Sequence, residues 1–529
     1  MPYKQMTHLT IQDETQSDAL GEKPERRLPI NLRQMIDVPL RFCTSLLFAS
    51  LSILSAQQPN VIFFAVDDMN DWISPMGSNM AQTPNLDRLA KMGVNFTNAH
   101  TAGVYCAPSR AAIFTGRYPT SSGCYHNQVY MIEHPEYLPL QAAFRNAGYN
   151  TYGAGKLYHH PKGLIDQRGW TEFFIRSQAQ KENGWAMDTW DHGAPKPDPL
   201  PHGKFNQANP KWKGKPFLEV GPIPNEQEEE IVDTVRTNWI CDIISKKHDK
   251  PFFAALGLYA PHYPNYAPQR FFDMYPLDSL KIPELKEDDI NDLPADRQKY
   301  LINRKKAIYD QLIELGGLEE AYQAYLACIT YADSNLGRVL DALESSPNKD
   351  NTIIVFWSDH GYTLGEKGHW GKHTLWQRTS NVPFMWAGPG IATGKQTNYT
   401  ATLIDMYPTL LDLCGLEADR GHDGESLKPV LKQPQTGKNR AVWLAYDEPG
   451  SVAVMDQNWH YIQYKDGSEE LYDVHGDPNQ WRNLADNTEY DSIKKQMKES
   501  GPHNFAPAGT LTKKHKLVIE GESYCWELK

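Results

Sequence analysis

The 529-residue chain is short of cysteine, of excess basic charge and of long apolar runs, and each shortage excludes a class of protein. Its seven cysteines, at 43, 106, 124, 241, 328, 414 and 525, show no CxxC spacing, which argues against a zinc site or a dense disulfide framework. One or two disulfides stay open, because connectivity cannot be read from spacing. Fifty-three Lys and Arg stand against 65 Asp and Glu, a net charge of -12. Such a chain lacks the basic footprint of sequence-independent nucleic-acid binding, so no nucleic acid is expected as partner. An anionic ligand must then be met by a local cluster of cations. There is no low-complexity tract and no internal repeat, and 40% hydrophobic with 22% charged residues excludes wholesale disorder. The length fits two to four domain-sized units, which a large α/β enzyme can merge.

The apolar run Phe42 to Leu54, behind Arg41 and before Ser55-Ala56-Gln57-Gln58, is too short to span a bilayer comfortably. It fits a secretory h-region with cleavage near Ala56, and Met35 sits where such a signal would begin. The expectation is a polar leader over 1–34 arising from a mis-assigned start, a signal peptide over 35–56, and export to the periplasm or beyond, with no transmembrane anchor. Arg41 and Phe42 make Cys43 a poor lipobox.

What is present reads as α/β. Asn60–Val66, Phe252–Leu258 and Thr352–Ser358 are continuous apolar runs of strand length, suited to strands buried on both faces of a parallel sheet. They end in Asp67-Asp68, near Pro261-His262, and in Asp359-His360, and ligands of open α/β sheets bind at that edge. Helices are predicted between them: Thr83 capping a helix with Pro84 first and Gly93 as its stop, Leu138–Ala147 with Gly148 at its end, and Glu319–Leu343 with Tyr325, Ile329, Ala332, Leu336, Val339 and Leu343 on one face. The stretch from Pro161 to Pro224 holds Trp170, Trp185, Trp190 and Trp212, which can stack on sugar rings or pin the loop to the core. Short alternating runs at 452–455 and 459–464 suggest antiparallel strands. The fold class is therefore a large doubly wound, mostly parallel sheet flanked by helices over 57–432, with a smaller C-terminal α+β subdomain containing an antiparallel sheet over 433–529.

The segment Cys106-Ala107-Pro108-Ser109-Arg110, trailed by Thr115-Gly116-Arg117, resembles the signature at which type I sulfatases have a cysteine oxidised to formylglycine (3-oxoalanine). A lone cysteine would be read as buried and inert; the full motif points elsewhere. A sulfate ester repels anionic nucleophiles, and a thiolate attacking sulfur would leave a thiosulfate that water releases poorly. With an aldehyde hydrate, one geminal hydroxyl attacks and the other later collapses to a carbonyl and expels sulfate. From Asn60 to roughly residue 480 the spacing is similar to the iduronate 2-sulfatase-like branch, which implies the alkaline phosphatase-like fold and a divalent cation beside the formylglycine.

The resemblance carries over residue by residue. It implies Asp67, Asp68, Asp359 and His360, with the modified Cys106, as ligands of Ca2+ in preference to Mg2+. The family often carries Asn where this chain has His360, and nitrogen is a less natural calcium ligand. Gly155-Lys156-Leu157-Tyr158-His159 matches Gly-Lys-x-x-His, which puts Lys156 on a sulfate oxygen and makes His159 the base for sulfate elimination. Pro261-His262-Tyr263-Pro264 matches Pro-His-x-Pro, and His262 or Lys372 protonates the leaving alcohol. Arg110 orients the formylglycine, although a structural salt bridge is its plain alternative. His373 and Trp376 depart from the branch pattern and are assigned to substrate recognition.

The expected partners are a sulfated carbohydrate (ulvan, carrageenan, fucoidan or a glycosaminoglycan) and a formylglycine-generating or anaerobic sulfatase-maturing enzyme. A phosphate or phosphonate ester hydrolase of the same superfamily, and a non-catalytic glycan binder with unconverted Cys106, are the competing readings.

Overall fold

A computed structural model describes residues 58–159, 165–174, 220–304, 306–417, 421–520 and 523–529. The expected leader and signal segments, and Trp185, Trp190 and Trp212 of the Trp-rich stretch, lie outside the described residues.

Eight strands form the main sheet: β1 (Asn60–Asp67), β2 (Gly93–Phe96), β3 (Asn150–Gly155), β4 (Glu172–Phe173), β5 (Phe252–Pro261), β6 (Thr352–Ser358), β7 (Phe384–Ala387) and β8 (Lys395–Thr397). Their order is β8-β2-β7-β6-β1-β5-β3-β4, and only β7 runs against the rest. The three apolar runs are the adjacent central strands, with Val61 opposite both Phe253 and Ile353. A strand buried on both faces must be apolar at every position, and Val61 through Val66 are all fully buried.

The two faces carry separate cores. Ile62, Phe64, Val66, Leu256 and Phe356 pack under α1 (Pro84–Met92), α4 (Val232–Ile244) and α5 (Leu318–Glu344). Val61, Phe63, Phe253, Val355 and Trp357 pack under α2 (Cys106–Thr115), α3 (Leu140–Asn146) and the helix Met406–Leu413. Helices on both faces make the sheet doubly wound, as the alternation of elements predicts. Each buried Leu, Ile or Phe contributes about 1.5–3 kcal/mol by leaving water.

The helix α1 does end at Gly93, but for a reason other than a helix cap. Gly93 already belongs to β2, where a Cβ would lie 1.8 Å from the carbonyl oxygen of Trp386 on β7. The absence of a side chain serves strand approach.

After the main sheet comes an antiparallel meander of β9 (Val442–Ala445), β10 (Val452–Met455), β11 (Trp459–Gln463) and β12 (Glu469–Asp473), covered on one side by α6 (Asp491–Ser500) through Met497. It meets the segment before Cys106, since Ala445 N donates to Ala102 O at 3.1 Å. Cys106, Cys124, Cys241, Cys328 and Cys414 are free thiols, and among the described residues no helix is long and apolar enough to cross a membrane.

Beside this junction His100 is buried, with Nε2 2.8 Å from Asn98 Oδ1 and Nδ1 3.3 Å from Ser380 Oγ. Asn98 accepts, so the ring carries its proton on Nε2 and is neutral. Burial, helped by nearby His460, holds its pKa well below the usual histidine value. A group with a depressed folded pKa contributes stability above its unfolded value of 6.5 and loses it as pH falls. Thermal unfolding midpoints should therefore drop between pH 6.5 and 4.5, and less steeply in His100→Gln; equal slopes would contradict this assignment.

Candidate functional site

Because β1, β3, β5 and β6 run in parallel, their C-terminal ends share one edge, where the chain emerges as Asp67-Asp68, Lys156, His262 and Asp359-His360. Two glycines let Lys156 enter: Gly155 has φ +75° and a Cβ there would sit 1.9 Å from Gly257 O, while a Cβ at Gly257 would sit 2.2 Å from Lys156 O. No residue with a side chain fits that crossing. Cys106 joins them as the first residue of α2, where the free amides of a helix start favour negative charge.

Around Cys106 Sγ stand Lys372 Nζ at 3.2 Å, His360 Nε2 at 3.3 Å, Asp67 Oδ1 at 3.4 Å and Lys156 Nζ at 3.6 Å. Lys156 pairs with Asp67; Lys372 pairs with Asp68 at 2.7 Å, and His262 Nε2 lies 3.8 Å from Asp68 Oδ2. Arg110 donates from Nε to Asp359 at 2.8 Å, bonds the carbonyl of Lys156, and holds Nη2 3.5 Å from Asp67. It thus ties together both carboxylate-bearing strands and the lysine loop.

Burial alone would push the Asp67 carboxyl up, yet Lys156, His262, Arg110 and Lys372 hold it well below the usual range. Asp68 and Asp359 have less compensation: burial raises both, Asp359 to about 7 despite Arg110. Burial would lower His360, but Asp359, Cys106 and Asp68 lift it to about 9. Burial would also raise the Cys106 thiol, and Asp67 adds to this, but Lys156, Lys372 and His360 bring it below its ordinary value. Burial, then Lys156 and Lys372, keep His159 well below 6.5, so its imidazole is neutral.

The carboxylate oxygens suit a hard cation, and the imidazoles beside them are its less natural ligands. Ligand atoms of Asp67, Asp68, Cys106 and His262, and those of Asp67, Cys106, Asp359 and His360, lie within 4.8 Å of one another. Protons drawn onto Asp359 and His360 mark the surplus of negative charge that a divalent ion would neutralise. His360 Nδ1 donates to Gly361 O at 2.9 Å, which aims Nε2 at the carboxylates.

Several supporting residues had no assigned role in the sequence reading. Ser109 donates to Asp359 O at 2.6 Å, and Thr101 donates to Ser109 at 3.0 Å. Ser358 accepts from Met69 N at 3.0 Å and donates to His360 O at 2.9 Å. Tyr325 donates to Asp68 O at 2.7 Å, steadying a residue whose φ of +68° is uncommon outside glycine. Ser109 follows Cys106 by three positions in the motif, and Ser358 and Tyr325 carry only their places in a predicted strand and helix.

His159 presents its ring edge-on to Tyr105 at 6.0 Å. His373, also with φ +68°, stacks on Tyr105 at 4.3 Å and keeps a quarter of its side chain exposed. Trp376 is buried, and its indole donates to Glu470 at 2.9 Å.

The profile of the Sulfatase family matches residues 59–416, and that of the N-sulphoglucosamine sulphohydrolase C-terminal region matches 365–502. A "Sulfatase" of Formosa agariphila is 37% identical over 85% of this chain and 87% of its own length. A "Choline-sulfatase" of Rhizobium meliloti is 29% identical over 82% of this chain and 84% of its own. A solved structure in complex with "its substrate D-Glucosamine-2-N, 6-O-disulfate" superposes with a TM-score of 0.64 at 21% identity, over 84% of this chain and 96% of that one.

Replacing Arg110 with Met removes the guanidinium from two buried carboxylates and should destabilise the protein by about 3–5 kcal/mol. Denaturant titration checks this; a loss under about 1 kcal/mol would mean the pairing is dispensable.

Proposed function

Since the chain belongs to the sulfatase family and is a sulfuric ester hydrolase, we propose that it cleaves a sulfated carbohydrate through formylglycine at position 106, with Ca2+ at the adjoining carboxylates. The observation that carries this reading is the position of Cys106 Sγ, within 3.6 Å of two lysine amines, a carboxylate and an imidazole. A plain thiol needs no such enclosure. The N-sulphoglucosamine and glucosamine disulfate likenesses favour a sugar; the choline-sulfatase relative keeps a small alcohol as the second reading.

Oxidised and hydrated, residue 106 supplies two hydroxyls on one carbon, one to take the sulfuryl group from the ester and one to release it as sulfate. Asp67, Asp68, Asp359 and His360 would hold the cation, which would supply positive charge that lowers the pKa of that hydroxyl. Lys156 and Lys372 bind the sulfate oxygens, where the ester's negative charge collects as the S–O bond breaks. His159, kept neutral by its surroundings, takes the proton when sulfate leaves. His262 hydrogen-bonds through Nδ1 to Tyr263 O at 2.5 Å, which turns Nε2 toward Asp68 and the ester oxygen. It or Lys372 protonates the alcohol. Arg110 positions Asp67 and Asp359, and His373 with Trp376 contributes to the sugar side. The catalytic body spans 57–432 with a C-terminal subdomain over 433–529, and the protein is exported to meet its polymer.

Matured enzyme should hydrolyse aryl sulfate at least about 100-fold faster than aryl phosphate, with Cys106→Ala losing all turnover while retaining its unfolding midpoint. Phosphate preference, or undiminished activity in Cys106→Ala, would overturn the reading. Chelation should abolish activity and lower the unfolding midpoint, and added Ca2+ should restore both, because a ligand bound only to the folded state stabilises it. Full activity after exhaustive chelation would contradict the cation assignment.

A further inference from the structure

The strand that delivers His262 breaks its register just before its end. Gly257 of β5 pairs with Ala65 of β1, but the next pairing is Pro261 with Asp67, which leaves Leu258, Tyr259 and Ala260 against Val66. Such a bulge bends the strand and re-aims the side chains beyond it. It also leaves amides without ladder partners, and here they are buried, where an unmet N–H is costly. Asp233, in the first turn of α4, meets two of them through one oxygen: Tyr259 N donates to its Oδ2 at 2.8 Å and Ala260 N at 3.0 Å. An acidic residue there reads as an ordinary helix-start charge. Its carboxylate is spent on β5 instead.

From Tyr259 the constraint passes to His262. The carbonyl of Tyr259 accepts from His262 N at 2.7 Å, and Asn265 Nδ2 donates to Pro261 O at 2.6 Å. Two hydrogen bonds therefore link Asp233 to the backbone of His262. Packing does not fix this loop by itself, because Asp233, Tyr259, Ala260 and His262 line one cavity with Tyr331. Asp233 is in turn held in place. It is 3% exposed, Arg236 Nη1 stands 3.9 Å from its Oδ1 one turn along α4, and the Arg236 guanidinium lies 5.5 Å from the centre of the Tyr259 ring.

We propose that Asp233 is a positioning residue for proton transfer to the departing alcohol: by holding the bulge in β5 it fixes the direction of His262 Nε2, and this rests on the reading in which His262 protonates the ester oxygen. The proton passes from Nε2 to that oxygen as the S–O bond breaks. A donor misplaced by about 1 Å can cost about 100-fold in rate, so a carboxylate that touches no substrate can still govern this step.

The test compares 4-nitrophenyl sulfate with 4-methoxyphenyl sulfate on the full matured enzyme. Nitrophenolate departs without a proton, so its ester reports the rest of the site, whereas methoxyphenol needs the donor. Asp233→Ala should lower kcat/KM for the methoxyphenyl ester at least about 10-fold more than for the nitrophenyl ester, a part of what general acid catalysis supplies. Asp233→Asn keeps an oxygen but loses the charge that strengthens these bonds, and should shift the same ratio in the same direction by about threefold. His262→Ala should shift it at least as far as Asp233→Ala, and adding Asp233→Ala to His262→Ala should move it no further, because both act through one group. Equal losses on both esters in folded Asp233→Ala, an unchanged ratio in Asp233→Asn, or a further shift in the double variant overturns the positioning role. Where Asp233→Ala does not fold, the Asp233→Asn ratio decides alone. A ratio that His262→Ala leaves unchanged would instead overturn His262 as the proton donor of the proposed function, and the role of Asp233 with it.

Discussion

Three carboxylates and a cysteine drawn toward its thiolate would, once ionised, repel one another, at a cost of about 4 kcal/mol for each pair 4 Å apart in a protein-like dielectric. Asp67, Asp68, Asp359 and Cys106 are in that position, and the surrounding architecture is arranged to offset it. Arg110, Lys156 and Lys372 each bring a cation, the start of α2 brings aligned amides, and the carboxyls left under-compensated attract protons. A site that holds negative groups together so tightly is prepared for more positive charge than its own side chains supply. The same lysines that quiet the carboxylates would be released toward an anionic ester if added positive charge took over their partners.

This arrangement depends on the sheet. Parallel strands deliver their ends to one edge, so four separate stretches of sequence, from Asp67 to His360, converge without any long-range motif. Gly155 and Gly257 set the crossing that turns Lys156 inward, and Ser109 and Ser358 fasten the loops that carry Asp359 and His360. The chemistry is precise because its groups stand on short, hydrogen-bonded turns at the ends of rigid strands.

Much of this was legible in the residues. The central strands announce themselves as unbroken apolar runs because burial on both faces allows nothing else, and α5 does so through its helical period. The convergence of Asp67, Asp68, Cys106, Lys156, Asp359, His360 and Lys372 was readable from the motifs they sit in. What was not readable came from contacts between segments far apart in sequence. Gly93 looks like a helix stop, and only the opposing Trp386 shows that it serves a strand. The bonds from Ala506, Gly509 and Thr512 to Thr120, Gly123 and Asn127 follow no periodic pattern, because they join short turns and loops outside the strands and long helices. Trp376 was assigned to substrate recognition, and the bond from its indole to Glu470, a partner 94 positions away, is one that no local pattern signals.

The central claim is chemical: residue 106 works as an aldehyde hydrate. Mass spectrometry of the peptide containing residue 106, from fully active enzyme, tests it most directly. The account predicts a peptide whose thiol has been replaced by a carbonyl oxygen, reactive toward hydrazide and present in proportion to specific activity. Fully active enzyme carrying an unmodified cysteine at 106 would contradict it.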